Sequence, residues 1–81
     1  TKVLSKELGR FNIRVNAVAT GLTNTDMMGK NISKKILDAA INKVALKRPA
    51  EPEEISDVVM FLASDLSSYV SGEVVFVTGG Y

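Results

Sequence analysis

Residues 13–27, IRVNAVATGLTNTDM, are the stretch that decides the fold. Apolar side chains recur through its first half, so we predict a buried strand over Ile13–Ala19. The strand then breaks at Thr20-Gly21 into a loop of small hydroxyl and amide side chains. In an open parallel α/β sheet, ligands bind just beyond the carboxyl ends of the strands. The candidate functional site is therefore predicted at this loop.

A second strand is predicted at Val74–Val77, a continuous apolar run of the kind found in parallel strands that are covered on both faces. Gly79-Gly80 is predicted to end it. A long helical stretch separates the two strands, so we expect them to be parallel and joined by a right-handed crossover. The predicted order is helix, strand, helix, helix, strand, which is an α/β architecture.

The chain opens with what looks like the tail of a helix, Thr1–Leu8, with Gly9 as its stop. Its apolar pattern is already in register at Val3-Leu4, and no initiator methionine precedes it. We therefore expect the natural chain to begin upstream of Thr1.

A second, amphipathic helix is predicted after the loop, capped by Asn31 or Ser33. Its apolar stripe consists of Ile32, Ile36, Leu37, Ile41 and Val44. The helix is interpreted either as plain packing or as a lid that closes over a substrate, with residues 29–31 as the hinge.

A third helix is predicted to start at Pro52, because proline suits the first helical position and Glu53 and Glu54 complement the positive end of the helix dipole. Met60 and Phe61 widen its apolar face toward an additional neighbour. Asp65–Ser68 is predicted to end it.

Two polar residues, Arg14 and Asn16, are awkward in a strand that is buried on both faces. We expect one face of that strand to meet polar partners supplied by a part of the protein outside this chain.

Composition narrows the function classes. The 81 residues allow one small domain, and ten Lys+Arg against nine Asp+Glu give a net charge of only +1, which disfavours nucleic-acid or anionic-membrane partners. No apolar run approaches the ~20 residues that span a bilayer. The absence of cysteine and histidine excludes disulfides, thiolate zinc sites, a Ser-His-Asp triad and an HExxH metal site within this chain, and it fits a cytoplasmic location.

Three segments together resemble a known family: LSKELGRFNIRVNAVATG at 4–21, TNTDM at 23–27, and KRPAEPEEISDVVMFLASDLSSYVSGEVVFVTGG at 47–80. They are similar to the carboxyl-terminal third of a classical short-chain dehydrogenase/reductase, and most of all to the 3-oxoacyl-[acyl-carrier-protein] reductase branch. The resemblance implies that residues 1–81 form the carboxyl-terminal part of a Rossmann-type doubly wound parallel sheet. Ile13–Ala19 and Val74–Val77 would be its sixth and seventh strands.

The resemblance also implies a cofactor, NAD or NADP, whose nicotinamide and pyrophosphate the loop would contact. The family's contact positions fall on Thr20, Gly21, Leu22, Thr23 and Thr25. Backbone amides and hydroxyls complement the donors and acceptor of a carboxamide without adding charge. Thr20 stands where the family usually has proline, a departure that frees one φ angle and adds an N–H group.

No catalytic residue is assigned in this chain. The family's Tyr-x-x-x-Lys motif would lie before Thr1, Tyr69 is followed four residues later by Glu73 instead of lysine, and Tyr81 is the last residue. The resemblance therefore implies that this chain alone is inactive. The intact protein would interconvert a carbonyl and an alcohol on a small molecule or an acyl thioester.

Several alternatives stay open at this point. A homo-oligomer is expected through the helix Glu53–Ser64 and the strand Val74–Val77, whereas a non-catalytic fragment or truncated relative would use the same surfaces only to bind a partner subunit. Thr23 and Thr25 are also compatible with ordinary loop hydroxyls, and Asp26 with a cap. The scattered lysines favour a solvated face over a docking patch for an acidic carrier protein.

Overall fold

Two parallel strands carry the fold. The computed structural model describes residues 1–24 and 33–81, with β1 at Ala17–Thr20 and β2 at Val74–Val77. The register pairs Ala17 with Val74 and Thr20 with Val77. The predicted parallel pairing is confirmed, and both strands end at the same edge of the sheet.

β1 is shorter than the predicted strand Ile13–Ala19 and ends one residue later. The first half of the predicted strand does not pair with β2, because β2 begins only at Val74. The residues before β2 bond to this half in another way. Val15 donates its backbone N–H to the Ser71 hydroxyl over 3.2 Å and accepts at its carbonyl from the Gly72 N–H over 2.8 Å. Apolar alternation predicted a strand here, but a turn takes the place of the second strand.

The described residues form three α-helices. Helix α1 is Lys2–Leu8 and continues as a 3-10 helix at Gly9–Phe11. Helix α2 is Lys34–Asn42, and the predicted cap at Ser33 is confirmed, since the Ser33 hydroxyl accepts from the N–H of Ile36. The alternative cap Asn31, the stripe residue Ile32 and the proposed hinge at 29–31 lie outside the described residues.

The third helix, α3, is Pro52–Ala63. Its start at Pro52 is confirmed, and it ends at Ala63, followed by a 3-10 helix at Asp65–Ser67. Among the residues that the structure describes, no helix is both long and apolar enough to cross a bilayer.

The predicted stop of α1 at Gly9 is confirmed, since the helix ends at Leu8 and Gly9 is its C-cap, but the glycine does not adopt the left-handed conformation typical of such a stop. Gly9 keeps right-handed helical geometry, with φ −58°, and passes the chain into the 3-10 helix. The left-handed residue is Asn12, with φ 59°, whose N–H bonds to the Gly9 carbonyl. Asparagine tolerates this conformation better than most residues, so Asn12 makes the turn toward β1.

The expectation that Arg14 and Asn16 would need partners outside this chain is also wrong. Arg14 donates to the Ser67 hydroxyl at 2.9 Å and to the carbonyls of Ser64 and Val70 at 3.2 and 3.4 Å. Asn16 donates to the same Val70 carbonyl at 2.9 Å, and its side-chain oxygen accepts from the N–H of Glu73 at 3.1 Å. The partners come from residues 64–73, which connect the end of α3 to the start of β2 and are 50 or more residues away in sequence.

Within the described ranges, the fully buried side chains are few. Val44 is 3% exposed and Ser67 only 1%. On β2, Val74 and Phe76 are 45% and 72% exposed, so the described part of this chain does not supply the coverage of both strand faces that the apolar run led us to expect.

Candidate functional site

The site is built at the carboxyl edge of the two strands. Thr20 is the last residue of β1, not the first of the loop, and the chain leaves the sheet at Gly21. The Gly21 N–H donates to the carbonyl of Val77 at 3.0 Å, which extends the ladder by one bond. A Cβ at Gly21 would lie 3.2 Å from the Cα of Thr78, closer than most side chains come to a backbone. Glycine therefore lets the two strand ends approach without displacing Thr78.

The loop after β1, residues 21–24, is held by the connector before α3, residues 43–51. Ala50 donates its N–H to the carbonyl of Leu22 at 2.9 Å, and its carbonyl accepts from the N–H of Asn24 at 2.7 Å. These two bonds place Thr23 opposite Ala50 in an isolated parallel bridge. No pattern in the sequence predicted this pairing, because neither partner lies in an apolar run and they are distant along the chain.

The connector is in turn tied to α3 by charged side chains. Arg48 contacts both carboxylate oxygens of Glu54, at 2.6 and 2.9 Å. The hydrogen bond from Arg48, with a second from the backbone of Glu51, lowers the pKa of Glu54 to about 2. The same bond and the charge of Glu54 raise the pKa of Arg48. The pair is therefore fully charged across the physiological range.

A second loop closes the edge beyond β2. Gly79 and Gly80 have φ values of 65° and 85°, which other residues rarely adopt. Their carbonyls accept from the N–H groups of Leu46 and Ala45, at 3.0 and 3.3 Å. The buried side chain of Val44 lies against Gly79, so the turn after α2 is fixed to the sheet. The predicted role of these glycines in ending the strand is confirmed, and they also dock the end of α2.

Between the two loops lies a cleft of about 100 Å³. Its lining is formed by Leu22, Leu46, Arg48, Ala50, Glu54, Val77, Thr78 and Gly79. Sites for drug-sized ligands and cofactors usually enclose roughly 300–1,000 Å³. The volume of this cleft is therefore smaller than that of a complete cofactor site.

The structure brings four of the five predicted site residues together at this edge. Thr20 and Gly21 are exposed, whereas Leu22 and Thr23 are half-buried beside the cleft or the bridge. The Thr23 hydroxyl makes one long bond, 3.4 Å, to the carbonyl of Gly21. Thr25 lies outside the described residues.

Two backbone donors of this loop have no acceptor among the described residues. Within ranges 1–24 and 33–81, the structure gives the backbone N–H groups of Leu22 and Thr23 no acceptor. Two such donors beside the exposed Thr20 form a short polar edge that can bind a ligand's carbonyl or amide group. In the same ranges, no group of three or more acidic side chains is placed to hold a metal ion.

Comparison with known proteins identifies the family of this chain. The family model described as Enoyl-(Acyl carrier protein) reductase matches residues 1–81. A 3alpha-hydroxysteroid dehydrogenase of Mediterraneibacter gnavus is 48% identical over 79 residues, which are 98% of this chain and 31% of that protein. The 3-oxoacyl-[acyl-carrier-protein] reductase FabG of Thermotoga maritima is 48% identical over 80 residues, 99% of this chain and 32% of its own length.

The chain belongs to the short-chain dehydrogenase/reductase family.

A solved structure supports the same assignment. The 3-oxoacyl-[acyl-carrier protein] reductase of Brucella melitensis superposes with a TM-score of 0.94 at 38% identity, over 99% of this chain and 30% of that one. The predicted Rossmann-type α/β fold and the resemblance to 3-oxoacyl-[acyl-carrier-protein] reductases are confirmed. The family is one of oxidoreductases, and the chain spans about a third of the length of the curated relatives it matches.

Proposed function

We propose that this chain is the cofactor-facing carboxyl-terminal portion of an NAD(P)-dependent oxidoreductase that interconverts a carbonyl and an alcohol. The substrate class that we propose first is the 3-oxoacyl thioester, since the similar proteins from Thermotoga maritima and Brucella melitensis are named 3-oxoacyl-[acyl-carrier-protein] reductases. We also propose that the protein works in the cytoplasm, which the lack of cysteine suits.

The observation that carries the proposal is the parallel register that ends Thr20 beside Val77. Because both strands finish at one edge, the loops that follow them lie together where ligands of doubly wound sheets bind. The polar groups present there fit a nicotinamide. The N–H groups of Leu22 and Thr23, which have no acceptor within residues 1–24 and 33–81, suit the carboxamide oxygen, and the hydroxyls of Thr20 and Thr23 suit its NH₂ group.

In this proposal the chain binds and orients and does not itself move the proton. NAD(P)H, when bound, supplies the hydride. The absence of a side chain at Gly21 lets the end of β1 lie against Thr78, so the two strand ends stay together at the edge where the ring would bind. The neutral donors of the loop hold the carboxamide without changing the ring's charge. The acid-base group would come from the part of the protein outside this chain.

The test uses the full-length gene product that contains this chain. Purified protein is mixed with NADH or NADPH and a panel of carbonyls led by 3-oxoacyl thioesters, and cofactor oxidation is followed by absorbance. Oxidation with the thioesters supports the proposal. Oxidation only with other carbonyls retains the oxidoreductase and rejects the thioester class, and no oxidation with any of them overturns the activity.

A second candidate function is subunit association. We propose that a second copy covers the predicted surface on Glu53–Ser64 and Val74–Val77. In support, apolar side chains on both elements are exposed in this chain, among them Met60 at 69% and Phe76 at 72%. Apolar side chains of this size are common at the core of homodimer interfaces.

Light scattering on the full-length gene product tests the association. We expect a mass that is a multiple of the subunit mass, and Met60→Glu should shift it toward the monomer, because burial of a charge in an apolar interface is unfavourable. Val3→Glu, which alters an exposed apolar residue of α1, is the matched control. A monomeric wild-type protein contradicts the association. A protein that associates but binds no cofactor would favour the non-catalytic interaction module.

A further inference from the structure

The Arg48–Glu54 pair is unusual among the described ion pairs because it joins two atoms on each side. Nη1 lies 2.6 Å from Oε1 and Nη2 lies 2.9 Å from Oε2. Two parallel bonds fix orientation as well as distance. By contrast, the pair between Lys2 and Glu73 rests on one contact of 3.4 Å. Arg48 and Glu54 are half exposed, so water screens their attraction, and the shape they impose matters more than their Coulomb energy.

Glu54 also bonds to the start of its own helix. Its Oε1 accepts from the backbone N–H of Glu51 at 2.9 Å, which satisfies an amide at the N-cap of α3. One carboxylate therefore holds the first turn of the helix and the connector before it in a single arrangement.

Ala50, near the end of that connector, holds the loop after β1. Ala50 lies two residues from Arg48 and bonds through both its N–H and its carbonyl to the residues on either side of Thr23. A side-chain bond of 3.3 Å from Asn24 to Glu51 adds a third link. If the connector shifts, Thr23 shifts with it.

The guanidinium of Arg48 is already committed to protein acceptors. Besides Glu54, it donates to the carbonyl of Pro49 at 3.3 Å. Because its N–H groups already bond to protein acceptors, this guanidinium is better suited to hold the connector in place than to bind a cofactor phosphate.

We infer that Arg48 and Glu54 act together as positioning residues, which hold Thr23 through Ala50 where the loop meets the nicotinamide cofactor. This inference rests on the proposed function. It assigns to an exposed ion pair, whose guanidinium is already bonded to protein acceptors, a share of the protein's affinity for NAD(P)H.

The experiment measures cofactor affinity in the full-length gene product. Arg48→Ala, Glu54→Gln and the double variant are titrated with NADH and NADPH by cofactor fluorescence, and their thermal midpoints are recorded. Lys2→Ala, which breaks the other ion pair, is the matched control.

We expect each single variant to raise the Kd for the cofactor about fivefold, the effect of roughly one lost hydrogen bond on a positioned group. The double variant should match the larger single effect, because the two residues act as one unit. The KM for the cofactor should rise in step while kcat changes by less than about twofold, since the lost interaction is one of ground-state binding. Lys2→Ala should leave the Kd unchanged.

Each outcome has one meaning. A wild-type protein that binds neither NADH nor NADPH overturns the proposed function. A wild-type protein that binds, beside an Arg48→Ala variant that matches Lys2→Ala, overturns only the positioning inference, as do additive effects in the double variant. If Arg48→Ala does not fold, Arg48→Lys keeps the charge and loses the second bond. A folded Arg48→Lys protein with wild-type Kd, or one that fails to fold, then overturns the inference in favour of a purely structural role.

Discussion

The two ends of the sheet use polar groups in opposite ways. At the amino end, the side chains of Arg14 and Asn16 bond to the turn before β2, and the hydroxyl of Ser67 at the centre of this cluster is buried. At the carboxyl end, Thr20 is exposed, and the described part of the chain leaves N–H donors of the loop without acceptors.

The difference separates stability from binding. Buried polar groups must be satisfied within the fold, because an unpaired one costs about 1–3 kcal/mol. Groups at a ligand-facing edge are free to bond to something else. The amino end should therefore govern whether the protein folds, and the carboxyl end whether it binds a cofactor.

The largest expected effect tests the amino end. Arg14→Ala removes three bonds and leaves the Ser67 hydroxyl and two carbonyls without this donor, so we expect the free energy of unfolding to fall by about 3 kcal/mol. Arg10→Ala is the matched control, because Arg10 is exposed and lies over the Phe11 ring at 4.7 Å, an interaction that contributes less than about 1 kcal/mol. Denaturant titration of the full-length gene product measures both. Equal losses would remove the proposed distinction between the two ends.

The next effect tests a place where the carboxyl end is also tightly packed. Gly79→Ala should lower the free energy of unfolding by about 2 kcal/mol, because φ is 65° and the new Cβ would lie 2.9 Å from Cγ1 of Val44. Gly9→Ala is the control. It has right-handed geometry and no atom within 4 Å of the new Cβ, so we expect a gain of up to about 1 kcal/mol. Thermal unfolding measures both, and a Gly79→Ala protein as stable as the wild type would contradict the docking of Val44.

A smaller effect sharpens the binding role of the carboxyl end. Thr23→Val keeps the shape of the side chain and removes its hydroxyl, whose bond within the chain is long, so stability should change little. If the hydroxyl meets the cofactor, the Kd for NAD(P)H should rise about fivefold. Thr23→Ser, which keeps the hydroxyl, should stay near the wild-type value. Cofactor fluorescence titration measures all three, and a wild-type Kd in Thr23→Val would return Thr23 to the role of an ordinary loop hydroxyl.

The smallest effect is a pH dependence at the same end. Because the pKa of Glu54 is lowered to about 2 in the folded protein from 4.5, its contribution to stability is present above pH 4.5 and is lost as the pH falls toward about 2. Arg48→Met removes the main cause of the shift, so the wild type should lose more stability than this variant between about pH 5 and pH 2. Denaturant midpoints across that range measure the difference. Parallel curves would show that the ion pair adds nothing to stability, as is common for exposed pairs.

The sequence predicted the larger elements well because their signals are local. Pro52 followed by two glutamates marked the start of α3, and the run Val74–Val77 marked β2. Both signals are read from residues that are adjacent in sequence, namely a proline followed by acidic residues and a short apolar run. The motifs that resemble short-chain dehydrogenases also predicted the family that the comparisons confirm.

What the sequence by itself determined is the α/β order and the parallel pairing of the two strands, and it predicted the candidate site at Thr20, Gly21, Leu22, Thr23 and Thr25. Only the tertiary structure decided where β1 starts, which partners satisfy Arg14 and Asn16, and how Ala50 holds the loop. The reason is physical. Helix caps and apolar runs act over a few residues, whereas these polar contacts join groups that are 26 to 57 residues apart, and chain folding alone brings them within bonding distance.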